Sequence, residues 1–324
     1  MTQDIKVSVL IPVYGVEKHI EKCVRSLFEQ TMQDGIEFIF TDDCTPDRSI
    51  EILERVLEDY PNRKKQVKII HHEKNCGISV TRETCLQAAT GEYFIHCDSD
   101  DWVEPEMYET LYQKAKETDS IIVGCNYICE YDDHNKEVNQ IYTDGSEESV
   151  IHILSGDSKL NSYLWSRLIN RKYFIDHGFK SPQNISMLDD MVMVVPLHYS
   201  TNKVAQVDKA LYHYRLIGSG MTSGINIQKV DSALEVVNIL KPYSTYSVAL
   251  KDAYNKAVAH FSQLLITDVQ IYDPQRWKKL TKGIPIKLFG SIRHSISPIL
   301  IRLGFEKLNL LMIKAYRRRH SRPL

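Results

Sequence analysis

A chain of 324 residues that is 43% hydrophobic and 25% charged has ordinary globular composition, enough for one large domain with extensions or for two domains. It has no run of about 18 uncharged apolar residues, which excludes a membrane-spanning helix, and the start, MTQDIKVSVLIPVYG, lacks the basic and apolar regions of a signal peptide. The net charge of −2 hides an asymmetry: 13 of the 40 Lys and Arg lie in residues 276–324, where Glu306 is the one acid out of 42 Asp and Glu, so a body of about −14 carries a tail of about +12.

The first 130 residues alternate strand and helix signals. VSVLIPV at 7–13 is a continuous apolar run, the pattern of a strand buried on both faces. In EKHIEKCVRSLFEQ, residues Ile20, Val24, Leu27 and Phe28 recur at helical spacing. IEFIFTDD supplies a second strand, 36–41, ending in acids. PDRSIEILERVLEDY is a second helix with Ile50, Leu53 and Leu57 on one face, and Pro46 and Asp47 suit its first turn. VKIIHH reads as a third strand, GISVTRETCLQAAT as a third helix closed by Gly91, and EYFIHCD as a fourth strand. PEMYETLYQKAKE then predicts a helix and SIIVGCNYI a strand. Residues 132–148 are polar and read as a loop or an exposed hairpin. From Ile151 the pattern changes: YLWSRLINRKYF and LDDMVMVVPLHYS predict helices, and VAQVDKALYHYR one or two strands.

Strand–helix alternation with short connections argues for a parallel sheet covered by helices. Ligands of such sheets bind at the carboxyl ends of the strands. Polar groups gather there: Tyr14 after the first strand, Asp42 and Asp43 after the second, Asn75 after the third, and Asp98, Asp100 and Asp101 after the fourth. In CDSDDW the acids do not fit an EF-hand, because Trp102 and Pro105 interrupt the ligand spacing. No GxxxxGK[ST] occurs, and GSGMTSG near Gly218 is not a dinucleotide fingerprint. A divalent ion holding a diphosphate fits better, since Asp98 and Asp100 point the same way in an extended segment. A solvated acidic turn is the alternative.

Four stretches are collinear: VSVLIPVYGVEKHIEKCVRSLFEQT, IEFIFTDDCTPDRSIEIL, EKNCGISVTRETCLQAATGEYFIHCDSDDW and MLDDMVMVVPL. Together, over residues 7–222, they resemble a family 2 inverting glycosyltransferase of bacterial polysaccharide type. The resemblance implies a glycosyltransferase A-type fold: a Rossmann-like, mostly parallel sheet flanked by helices. It implies that Pro12, Val13 and Tyr14 lie beside a nucleotide base and that Asp43 accepts from a uracil-like ring N–H. Asn75, Gly77 and Arg82 match the Asn-x-Gly-x-x-x-Ala-Arg element on the donor side. CDSDDW resembles the Asp-x-Asp motif, with Asp100 as ligand to Mn²⁺ or Mg²⁺, Asp98 on the ribose or sugar side and Asp101 near the transferred sugar. LDDMVMVVPL resembles the family's Glu-Asp pair opening a helix, which implies that Asp190 is the catalytic base, with Asp189 in the glutamate's position. WSRL resembles Trp-x-Lys-Leu through Trp165 and Arg167. YHYRLIGSGMT resembles a segment that closes over the site, with His213, Tyr214, Arg215 and Ser219. Cys44 stands where the family has glycine, and Thr45 where it has serine.

The expected donor is a nucleoside diphosphate sugar, foremost a UDP-sugar, and the acceptor a glycan or lipid-linked glycan hydroxyl. Competing readings are a sugar nucleotidyltransferase, disfavoured because IPVYGVEKH lacks a Gly-rich basic loop, and a non-catalytic glycan-binding protein. The expected domains are a donor-binding half at 1–130, an acceptor-side half at 131–222, and a helical extension at 223–324. The seven cysteines have no CxxC pair and read as reduced thiols of a cytoplasmic protein, so Asn184-Ile185-Ser186 is not expected to be glycosylated. Adjacent His71 and His72 are expected on opposite strand faces rather than as a metal pair, and His96 as a packed strand residue. Tyr108, Tyr112, Tyr163, Tyr173, Tyr212 and Tyr214 are expected mostly as half-buried packing. SPILIRLGFEKLNLLMIKAYRRRH is apolar and cationic but apolar on two sides. It is expected to touch anionic lipid peripherally, or else to pack on the acidic body or a second subunit. Nucleic acid is not an expected partner, and oligomeric state is open.

Overall fold

The computed structural model describes residues 4–143, 145–182, 185, 187–216, 226–289 and 292–320, with backbone alone at 292–294 and 317–320. The chain divides into two compact units. The first spans residues 1–153 and 157–221, and the second spans 154–156 and 222–324.

In the first unit the elements run β1 (Val7–Val13), α1 (Ile20–Phe28), β2 (Ile36–Asp42), α2 (Ser49–Glu58), β3 (Val67–His71), α3 (Ile78–Ala88), β4 (Tyr93–His96), β5 (Trp102–Val103) and α4 (Met107–Thr118). They continue with β6 (Ile122–Glu130), β7 (Asn135–Val138), α5 (Ser146–Ser155), β8 (Arg167–Asn170), α6 (Arg171–Asp176), α7 (Asp189–Ser200) and β9 (Val204–Arg215). Among the described residues nine strands form one sheet in the order β3-β2-β1-β4-β8-β6-β9-β5, with β7 beside β6. The first four strands are mutually parallel, whereas β8 runs antiparallel to both β4 and β6. Every residue of β1 is buried, which is why that strand reads as an unbroken apolar run. Val7, Val9, Ile11 and Val13 face the core built with α1, α2 and α4. On the other face Cys85 of α3 packs on Thr41 and Ile39. Each fully buried Leu, Ile or Phe of this core contributes about 1.5–3 kcal/mol.

Two expectations change. YLWSRLINRKYF is not a helix. A short 3₁₀ turn at Leu164–Ser166 leads into β8, and the helix α6 starts only at Arg171. Tyr93 and Phe94 of β4 pair with Asn170 and Ile169, and Ile122 to Gly124 of β6 pair with Ile169 to Arg167. Inserted between two strands, this segment gains ladder hydrogen bonds on both edges, which outweighs its helical periodicity. Residues 132–148 do form an exposed hairpin, β6–β7, but helix α5 begins within the segment at Ser146. VAQVDKALYHYR is one strand, β9, whose register against β6 shifts at Asn126.

The second unit is helical: α8 (Ile227–Leu240), α9 (Val248–Ser262), α10 (Leu264–Thr267), α11 (Pro274–Leu280), α12 (Ile292–Arg302) and α13 (Glu306–His320). Asn226, Ser247 and Asp273 cap α8, α9 and α11 with side-chain oxygens. Its core gathers Val230, Leu234, Val258, Leu265, Trp277 and Ile301. Among the described residues no helix is long and apolar enough to cross a membrane.

Candidate active site

The carboxyl ends of β1 to β4 meet at one rim. Pro12 and Val13 are buried at the end of β1, paired with Thr41 and Asp42, and Tyr14 beyond them is half exposed. Gly15 turns the chain at φ +68°. The loop after β1 is stitched to the loop after β2: Gly15 N–H donates to Thr45 Oγ1 at 2.8 Å and Glu17 N–H to Asp47 Oδ2 at 2.9 Å. Burial works against ionisation of Asp47, yet hydrogen bonds from Ser49, Glu17 and Thr45 hold its carboxyl below the usual range. Cys44 adopts φ +57°. The residue at the family's glycine position therefore keeps the left-handed backbone that glycine adopts without strain.

Asp43 is buried against the start of α3. Its Oδ1 accepts from Cys76 N–H at 2.8 Å and lies 2.9 Å from His72 Nδ1, and its Oδ2 accepts from Gly77 N–H at 2.8 Å. Backbone donors at a helix start favour a carboxylate there. Among the described residues these three donors leave one lone-pair site of the four on this carboxylate, on Oδ2. His72 is fixed from its other side by Thr84 Oγ1 at 3.0 Å, while His71 turns to Asp42. Asp43, His72 and Cys76 also bring ligand atoms within 4.8 Å of one another, a donor set suited to a soft divalent ion rather than to Mg²⁺. Asn75 is exposed on the same loop.

The three acids after β4 separate. Asp101 is enclosed: Oδ1 accepts from Arg215 N–H and Oδ2 from Tyr212 O–H, each at 2.8 Å. The Tyr212 hydroxyl also accepts Asp98 N–H at 3.1 Å, so one phenol ties the turn to β9. Burial, then the charges of Asp100 and Asp98, push the Asp101 carboxyl well above the usual range. Asp100 is pushed up to about 6, by burial and by the charge of Asp98. Among the described residues no side chain donates to Asp100, and the charge of Arg215 only partly offsets these effects.

Asp98 Oδ1 accepts from Arg82 Nη2 at 3.1 Å, and Arg82 Nη1 reaches Asp189 Oδ2 and Asp190 Oδ1, each at 2.5 Å. Arg82 is thus the hub of three acids from two elements. Burial opposes its charge, but Asp189, Asp190 and Asp98 hold it protonated. One guanidinium does not neutralise three carboxylates. Burial, with Asp189 and Asp98 adding, outweighs Arg82 and pushes the Asp190 carboxyl up to about 7. Its Oδ2 accepts a long bond of 3.3 Å from Leu164 N–H. Leu188, directly before α7, adopts φ +64°, a strained turn of the kind found at functional sites.

Trp165 is buried in a layer of rings. It stacks on Tyr212 at 4.1 Å and Tyr163 at 4.8 Å between centroids, with Tyr214 at 5.5 Å. Arg167 is fully enclosed, its fork spent on Asn161, the Tyr163 carbonyl and His198, so it holds the Asn161–Ser166 segment from within. Burial keeps His198 neutral, which lets Nε2 accept from Arg167. Arg215 meets His19 and Glu130, and His213 stacks on Trp102. Ser219 and Asn184 lie outside the described residues. The Leu164 N–H was not singled out by sequence reasoning, which weighed Tyr212 and His72 and read them as packing rather than site groups. Tyr212 shares a strand face with Tyr214, two residues on, and that period-2 pattern was the one signal available for it.

Parallel strand ends that gather Asp43, Asp98 and Asp100, with Asp98 joined through Arg82 to Asp189 and Asp190, are the arrangement of a glycosyltransferase A-type fold. A model of the glycosyl transferase family 2 domain matches residues 8–194, and the chain belongs to that family and is a glycosyltransferase. It is 34% identical over 299 residues to EpsH of Bacillus subtilis (strain 168), a protein named as a glycosyltransferase, covering 89% of this chain and 81% of that one. A cholesterol galactosyltransferase of Borreliella burgdorferi is 29% identical over 235 residues, 68% of this chain and 63% of that one. In fold the chain is similar to S. aureus TarS 1-349 in complex with UDP-GlcNAc, with a TM-score of 0.70 at 18% identity, over 99% of this chain and 93% of that one. It is also similar to the mannosyltransferase PcManGT of Pyrobaculum calidifontis in complex with GDP-Man and Mn²⁺, with a TM-score of 0.55 at 14% identity, over 99% and 89% of the two chains.

Proposed function

We propose that the enzyme transfers a sugar from a nucleoside diphosphate sugar, foremost a UDP-sugar, to a hydroxyl of a glycan or lipid-linked glycan in polysaccharide synthesis, with inversion. It would act as a cytoplasmic protein at the inner membrane face. The observation that carries this reading is Asp190, a buried carboxyl raised to about 7 and joined through Arg82 to Asp98 of the acidic motif. A base with that pKa exists in both forms near neutrality, as proton transfer requires.

Each group has a role set by its bonds. Asp43 keeps one Oδ2 lone pair for a ring N–H of the base, a charge-assisted contact, while Tyr14 is exposed to lie along the ring. Asp98 and Asp100 are hard oxygen donors of the kind Mg²⁺ and Mn²⁺ prefer, and Asp100 would be the ligand. A bound dication supplies neutralisation of charge on the diphosphate leaving group. Asp190 Oδ2, held among the described residues by the long bond from Leu164 N–H, takes the proton of the attacking hydroxyl. Arg82 orients both oxygens of the pair Asp189 and Asp190 by engaging one from each. Asp101 ties the motif to β9 and would act on the sugar only through that position. The UDP-GlcNAc complex of the TarS neighbour supports the donor class.

The test is nucleotide release from a panel of sugar nucleotides, with Mn²⁺ or Mg²⁺, by wild type, Asp100→Ala and Asp190→Asn. Loss in both variants is expected. Equal activity in all three sinks the assignment.

A further inference from the structure

The C-terminal helices carry an apolar face that their own unit leaves uncovered. On α12, Ile296 and Ile299 are exposed, and Leu303, at 65% exposure, follows them at helical spacing. Gly304 breaks the helix at φ +85°, and the stripe resumes through Phe305, Leu308, Leu311, Met312 and Tyr316, with Leu311 64% exposed. On α13 the last four recur at i, i+3, i+4 and i+8, one side of a helix.

The side of α13 that adjoins Met312 and Tyr316 on the helical wheel packs inward. Asn309 is fully buried, and its Nδ2 donates to the Ile266 carbonyl at 2.9 Å. Ile301 sits in the core of the unit with Trp277. This accounts for the two apolar sides seen in the sequence: one anchors the helices and the other faces out. Lys307 and Lys314 are exposed and fall between the two sides on the helical wheel. The one acid of the region, Glu306, is answered by Lys278 at 2.6 Å and by Gln275 at 3.0 Å. Among the described residues the face is therefore apolar with cations at its edge and no unpaired carboxylate, and Arg317, Arg318 and Arg319 follow in the sequence.

We propose that α12 and α13 dock flat on an anionic lipid surface, burying Leu303, Phe305, Leu308, Leu311 and Met312 while Lys307 and Lys314 meet lipid phosphates. A side with large aliphatic groups, a cationic border and no acid is what holds an interfacial helix on anionic lipid. The proposal deepens the membrane-face reading above by naming its surface, and it does not depend on the donor or base assignments.

The experiment is sedimentation of the full chain with vesicles of phosphatidylcholine alone or mixed with phosphatidylglycerol. Binding to the mixed vesicles should be at least about tenfold tighter and should weaken with salt. Leu308→Glu/Leu311→Glu and, separately, Lys307→Glu/Lys314→Glu should each lower binding about tenfold or more, with nucleotide release toward a water-soluble acceptor unchanged. That unchanged activity separates this test from the test of the active site. Equal binding to both vesicle types, or unchanged binding by the Leu variant, overturns the proposal. So does a dimer seen by light scattering that the Leu variant abolishes while vesicles are not bound, because a second copy then covers the face.

Discussion

Arg82 Nη1 donates to Asp190 Oδ1 at 2.5 Å, joining α3 to the start of α7 across 108 residues of sequence. The same guanidinium holds Asp189 and Asp98. Asp190, the proposed base, and Asp98 of the acidic motif are therefore held by one buried cation, and its removal should affect both.

Arg82→Ala should destabilise the enzyme by about 3–5 kcal/mol, the cost of leaving buried charge unpaired. The sign with pH is defined. Asp190, already pushed up to about 7 by burial, loses the one charge that lowers it when Arg82 is removed, so it holds its proton more tightly than in the unfolded chain and stability falls as pH rises. Thermal unfolding at pH 6 and pH 8 checks this: the deficit should be larger at pH 8. Arg82→Lys should recover part of the stability but little activity, since an ammonium lacks the planar fork that spans the three acids.

The activity of the wild type should rise with pH through about 7. Asp190 must be ionised to take a proton, and burial pushes its carboxyl up to about 7. Below that pH the base is protonated and kcat/KM should fall about tenfold per unit. An unperturbed carboxylate would place the limb near pH 4. A kcat/KM profile between pH 5 and 9 separates the two. Asp190→Asn should lose about 10²–10⁴-fold in rate while still binding donor.

Chelation by EDTA should remove activity, and Mn²⁺ or Mg²⁺ should restore it. Asp100→Asn should weaken metal-dependent stabilisation by nucleotide diphosphate in a thermal-shift assay, because a carboxylate to which no described side chain donates is the one a dication would engage. Stabilisation as large as in the wild type would move the ligand role elsewhere.

Tyr212→Phe removes the hydroxyl that bridges Asp98 N–H and Asp101 Oδ2. Both partners are left short of a hydrogen bond, at a cost of about 1–3 kcal/mol. The ring stack on Trp165 is retained, so urea unfolding should show a lower midpoint with an unchanged slope.

The parallel half of the sheet was legible residue by residue. Strands buried on both faces write continuous apolar runs, as Val7–Val13 does, and helices between them write a 3.6-residue period. Polar groups at the strand ends likewise marked the rim, because that is where the chain leaves the sheet. The segment around Trp165 was not legible. Its periodicity is helical, and only the partners β4 and β6 make Arg167–Asn170 a strand. The same holds for side-chain roles. Arg167 is enclosed by Asn161, Tyr163 and, 31 residues on, His198, and Asp101 is held by Tyr212, 111 residues on, partners that motif spacing does not show. By itself the sequence determined the βα alternation, the acidic rim and the cationic tail, since each is written in local pattern and composition. Tertiary structure alone decided that Asp98, Asp189 and Asp190 share Arg82 and that one side of α13 remains exposed. Both depend on packing between distant segments, which local periodicity does not encode.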